Sequence, residues 1–183
     1  MATRDDGRWV HSEVQPLPAW VWVVVLVTVL PGAGVAAGMA FGAIAADPVA
    51  TWVVVGCTLL VVALLAVFMG GVRIRVSDER LTARLGRWPF PLDVPLEDIE
   101  WCRATKYSPL RDFGGWGLRI GWRHSRVSAI NGRGDEGVLL ALPNGKRVLL
   151  GSDDPGQLTD ALGSLGVEVK PRTESLDEAL AAS

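Results

Sequence analysis

Two long stretches without a charged side chain constrain this chain more than anything else in it. From Trp20 to Ile44, and again from Val49 to Val72, no Asp, Glu, Lys, Arg or His occurs. A helix rises about 1.5 Å per residue, so each stretch would extend roughly 36 Å against a hydrocarbon thickness of about 30 Å. They read as two transmembrane helices filling residues 20–71 behind a lead of residues 1–19. The link Ala45-Ala46-Asp47-Pro48 makes them an antiparallel hairpin, with Asp47 capping the second helix and Pro48 in its first turn. Arg4 and Arg8 precede the hairpin, the link carries no basic residue, and Arg73, Arg75, Arg80, Arg84 and Arg87 follow. Both termini are therefore expected in the cytoplasm, in a multi-pass inner-membrane protein. A signal peptide cleaved near Ala43-Ile44-Ala45 fits less well, because the apolar run is too long and a second one follows at once.

Within the first helix, Gly34, Gly38 and Gly42 recur every fourth residue and line one face. The preferred reading is packing against the second helix, near Gly56 and Ala63, ahead of a dimer seam. Pro31 is expected to kink the helix. Trp20, Trp22 and Trp52 suit interfacial anchors, and the lack of intramembrane acids, bases and histidines argues against transport.

From residue 72 the apolar period shortens to two. Val72, Ile74 and Val76 alternate with Arg73 and Arg75, a turn follows at Ser77-Asp78-Glu79-Arg80, and Leu81, Ala83 and Leu85 alternate with Thr82 and Arg84. This predicts a hairpin. Further strands are expected from Phe90, Ile99, Trp116, Gly137 and Lys146, with another allowed over 126–130. Pro143-Asn144-Gly145 is the tight-turn signal between the Gly137 and Lys146 strands. Then Asp153 or Asp154 caps an amphipathic helix carrying Leu158, Leu162 and Leu165, which Gly166 ends. Residues 167–183 hold little apolar mass and are expected as a flexible tail with a brief helical turn at Leu176–Ala182.

The order of these features carries a resemblance. Two apolar helices, "VRIRVSDERLTARLGRWPFPLDVPLEDI", "GGWGLR" and "GVLLALPNGKRVLLGSDDPGQLTDAL" together resemble the small actinobacterial two-span membrane proteins that bear a pleckstrin-homology-like (PH-like) domain. The likeness covers residues 20–165 and is most specific at Gly114–Arg119 and at the hairpin leading into the helix. It implies a membrane α-helical hairpin plus a mainly-β split barrel of about seven strands with a C-terminal capping helix, the PH-like domain spanning 72–166. That family is mostly without assigned biochemical activity, so no catalytic residues carry over from the resemblance.

The stretch "DFGGWGLRIGW" is a local candidate for a ligand loop. Trp116, Leu118, Ile120 and Trp122 share one parity and Gly117, Arg119 and Gly121 the other, so a bent core strand explains it first. A partner groove beside Trp116 and Arg119 is the functional alternative. No dinucleotide fingerprint or phosphate loop is present. His11 lies in the lead, His124 sits among arginines, Cys102 reads as a small buried side chain, and Glu97, Asp98 and Glu100 read as a solvated turn. No metal-ligand spacing and no cofactor motif occurs, and two separated cysteines give no disulfide framework.

Charge carries more. Residues 73–133 hold twelve basic and seven acidic side chains, and residues 134–183 hold four and nine. Arg73, Arg75, Arg84 and Arg87 are expected to lie against anionic headgroups, with ordinary topology bias explaining them equally well. The expectation is a binding or scaffolding module and not an enzyme. Its partners are membrane lipids and another protein or a second copy of itself, with no nucleic acid; headgroup recognition by the basic face is the alternative to protein binding.

Overall fold

A computed structural model describes residues 9–16, 19–42, 47–68, 71–87, 89–120 and 127–182. Arg4, Arg8, Trp122 and His124 lie outside them.

The period-two segments form strands because each buries alternate side chains. In β2 (Val72–Val76) and β3 (Arg80–Leu85), Val72, Ile74, Val76, Leu81 and Ala83 are fully buried, while Arg73, Arg75 and Arg84 project outward. β4 (Leu92–Pro95) extends this sheet on one side, and on the other β1 (His11–Gln15) pairs antiparallel with β2, Gln15 opposite Val72. The whole apolar region is thus inserted between two adjacent strands of one sheet.

The second sheet has the order β10-β5-β8-β9-β7-β6. Its strands are β5 (Trp101–Lys106), β6 (Gly117–Ile120), β7 (Val127–Asn131), β8 (Glu136–Leu142), β9 (Lys146–Gly151) and β10 (Glu168–Thr173). Neighbours are antiparallel except for β7 with β9 and β10 with β5. One face of this sheet meets the first sheet and α4 (Pro155–Ser164) around Ile74, Leu81, Cys102, Leu140, Leu150, Leu158 and Leu162. Asp154 caps α4, accepting from the Gln157 amide at 2.9 Å, with Pro155 following it. The other face carries a second core around Trp101, Tyr107, Phe113, Leu139 and Leu149, covered by α3 (Pro109–Phe113) and α5 (Leu176–Ala181).

Two expectations are corrected. The apolar region does form two helices, α1 (Ala19–Ala40) and α2 (Pro48–Phe68). Among the described residues, however, no helix is long and apolar enough to cross a membrane. The two transmembrane spans, the multi-pass inner-membrane placement and the orientation of both termini drawn from them are overturned on that finding.

The second correction concerns the barrel. A seven-strand PH-like split barrel closed by a C-terminal helix does not form; the described residues build sheets of four and six strands. The difference arises at the two ends. The lead contributes β1, and the segment expected as a flexible tail contributes β10 and α5, so α4 is an internal layer with chain continuing past it. The parallel contact of β7 with β9 also breaks the simple meander.

Candidate anion-binding face

The exposed side of the first sheet gathers cationic side chains that alternation throws outward. Arg73 of β2 stands directly opposite Arg84 of β3, and Arg75 opposite Thr82. Like charges in cross-strand register repel, which costs the sheet a few tenths of a kcal/mol unless an anion lies between them. Among the described residues no carboxylate pairs with Arg73, Arg75 or Arg84, in contrast to Arg80, which binds Asp93 at 2.8 Å. The three arginines, Thr82 and Pro91 line one recess of ≈ 140 Å³. A carboxylate or phosphate group fits such a space, with guanidinium forks and a hydroxyl as donors.

Apolar and aromatic surface adjoins the recess. The Arg75 guanidinium lies 5.1 Å from the centroid of the Trp9 ring, within cation–π range, and Trp9 is 39% exposed. Val14, opposite Arg73 on β1, is 57% exposed. Arg87 is exposed in the turn after β3 and is not part of the recess lining. Sequence parity therefore located Arg73, Arg75 and Arg84, whereas Trp9 and Val14 were missed because nothing local marks β1 as a partner of β2.

The other candidate residues are placed as follows. Trp116 is half-buried and Arg119 exposed; the Arg119 Nε donates to the Trp116 carbonyl oxygen at 3.2 Å, folding the guanidinium back toward Gly115. Gly34 lies inside α1 and Gly42 beyond its end, and a Cβ added at either meets no described atom within 4 Å. Gly38 is half-buried within the same helix. Gly32 faces α2, its added Cβ lying 3.5 Å from Thr58 Oγ1. Cys102 is fully buried, and desolvation pushes its thiol up to about 11.

A polar junction that sequence reasoning missed joins the two sheets. Glu13 of β1 accepts from Ser152 Oγ at 2.6 Å, from the Asp153 amide and from Gln15 Nε2 at 3.1 Å. Gln15 and Asn131 are fully buried beside it, and Arg133 grips Asp153 at 2.6 Å. His11 Nε2 is 3.7 Å from Glu13 Oε2, so serine, carboxylate and imidazole are neighbours. The serine hydroxyl donates to the Glu13 carboxylate and not to the imidazole, so the hydroxyl has no imidazole base. The cluster is a joint between layers. Among the described residues no group of three or more His, Cys, Asp or Glu side chains is placed to hold a metal ion.

No family model, no curated protein and no solved structure matches this chain. The functional reading rests on geometry.

Proposed function

We propose that this protein is a non-catalytic binding module that docks an acidic segment of a partner protein on the arginine face of its first sheet. The observation that carries this reading is the convergence of Arg73, Arg75 and Arg84 on one recess with no described carboxylate to neutralise them. Arginine beside exposed tryptophan is the composition of a protein-binding hot spot, in which an aromatic anchor excludes water around a charge-assisted contact, and Val14 adds apolar surface next to it. A bare anion site would need no Val14 and no Trp9. The planar fork of arginine suits carboxylates in a bidentate mode.

The test is a titration of the full-length protein with a fluorescent Glu-rich peptide and a Lys-rich control, followed by anisotropy. Saturable binding of the acidic peptide alone is expected, weakening as salt rises and at least tenfold in the R73Q/R84Q variant. Equal affinity in variant and parent overturns the proposal. If anionic vesicles bind in an arginine-dependent manner and the peptide does not, headgroup recognition replaces it.

A further inference from the structure

The two sheets part at one corner, and apolar side chains from both line the gap. Leu92 of β4 and the preceding Phe90 form one wall; Leu118 of β6, Ile130 of β7 and Val148 of β9 form the other, leaving a groove of ≈ 770 Å³. That volume lies in the range of small-molecule sites. Phe90 is 75% exposed and Leu118 48% exposed, so a ligand entering the groove would take two large apolar side chains out of water.

We propose that this groove binds a small amphiphile with an unbranched alkyl chain and a carboxylate head. Lys146 decides the head group. It stands at the mouth, is exposed, and has no carboxylate partner among the described residues. The neighbouring Arg147 is occupied elsewhere: its Nη1 donates to the Leu180 carbonyl oxygen at 3.4 Å, on the opposite face of the sheet, and its guanidinium lies 6.0 Å from the Trp101 ring. Among the described residues the groove thus offers one free cation, matched to one negative charge, with the Ser128 hydroxyl as a further polar side chain. A peptide strand is the poorer occupant. β4 and β6, the two edge strands that line the groove, are four residues each, and Pro91 and Pro95 beside and within the first lack the amide hydrogen that main-chain pairing requires.

The experiment is calorimetric titration of the full chain with octanoate, decanoate and dodecanoate below their micellar concentrations, with dodecanol as the uncharged control. One molecule per chain is expected to bind, each added methylene tightening binding about fourfold. K146E is expected to weaken dodecanoate at least tenfold and leave dodecanol within twofold, while L118W weakens both. R73Q/R84Q, on the opposite face of the first sheet, is expected to leave dodecanoate binding unchanged, which separates this site from the proposed protein-docking face. Absence of saturable binding overturns the proposal. So does dodecanoate binding indifferent to both K146E and L118W, which would place the alkyl chain on the apolar helices. Circular dichroism confirms that each variant folds, and the exposed position of Lys146 keeps the test valid if the bulkier L118W does not.

Discussion

Gly71 has φ +67°, and a Cβ there would press into the Gln15 carbonyl oxygen, well inside van der Waals contact. Gln15 is held in the β1–β2 ladder and Gly71 by the Gly86 amide, which donates to its carbonyl oxygen, so neither side of the clash can retreat. Gly71→Ala is expected to lower stability by about 2–3 kcal/mol, from the left-handed backbone together with the steric overlap. Gly34→Ala is the contrasting case: its added Cβ meets nothing described within 4 Å. Alanine's better helix propensity is expected to raise stability there by up to about 1 kcal/mol. Urea denaturation of both variants checks the pair. Residue-level signals of this kind divide sharply in their legibility. The outward arginines follow from alternation, which is local, whereas the importance of Gly71 depends on Gln15, brought beside it by a strand 56 positions earlier in the chain.

Among the elements, α5 shows how a short helix without much apolar surface is held. Its C-terminal carbonyls, which have no partner within the helix, are taken by arginines of the sheet below. Arg103 donates from Nη1 to the Ala179 oxygen and from Nη2 to the Ala182 oxygen, both at 3.2 Å, and the guanidinium lies 5.4 Å from the Trp101 ring. Arg103 is 4% exposed, so an ammonium in its place would be buried and unable to span both carbonyls. Arg103→Lys is expected to free α5 while β5 and β8 stay protected. Hydrogen exchange reads this as faster exchange over 176–181 with little change over 136–142. The hairpin of β2 and β3, the β8–β9 pair and α4 with its Asp154 cap were legible because each rests on neighbouring residues. α5 was visible only as a brief helical turn, and its docking depends on Arg103, 76 positions away from Ala179. β10 was invisible for a related reason: its Glu168, Lys170, Pro171 and Arg172 give no apolar stripe, and its pairing with β5 comes from tertiary structure.

The whole molecule has two cores separated by the six-stranded sheet, and each contains one buried group that resists ionisation. Burial pushes the Cys102 thiol up to about 11 from an ordinary 9.0, and the Tyr107 phenol up to about 12 from 10.0. The phenol lies near Asn131 without hydrogen-bonding geometry, and desolvation is its main perturbation. Both groups keep their protons in the folded state longer than in the unfolded one. Their contribution is constant below about pH 9 and is lost as pH rises, between about 9 and 11 for Cys102 and between 10 and 12 for Tyr107. Urea unfolding under reducing conditions is expected to show stability falling by several kcal/mol across this window, by about 1.4 kcal/mol per unit of pH for each group. Tyr107→Phe should flatten the upper part of the fall and Cys102→Ala the lower. A single transition in both variants would show that the cores unfold together.

The arrangement of the sheets was the least legible level. Eight strands lie where alternation placed them, but which strand neighbours which is decided by contacts between segments far apart in the chain. Glu13 with Ser152 and Asp153 is the clearest example, since a glutamate in an unremarkable polar lead proves to be what ties the first sheet to the second.

The chain departs from the first sheet after Gln15 and rejoins it at Val72, directly across one ladder rung. Those two positions are about 5 Å apart, a gap that the shortest reverse turn would also bridge. The β architecture is consequently indifferent to whatever length of polypeptide is looped out at that point. An ancestor with a plain turn there, or a descendant with a different insert, would present the same arginines and the same groove.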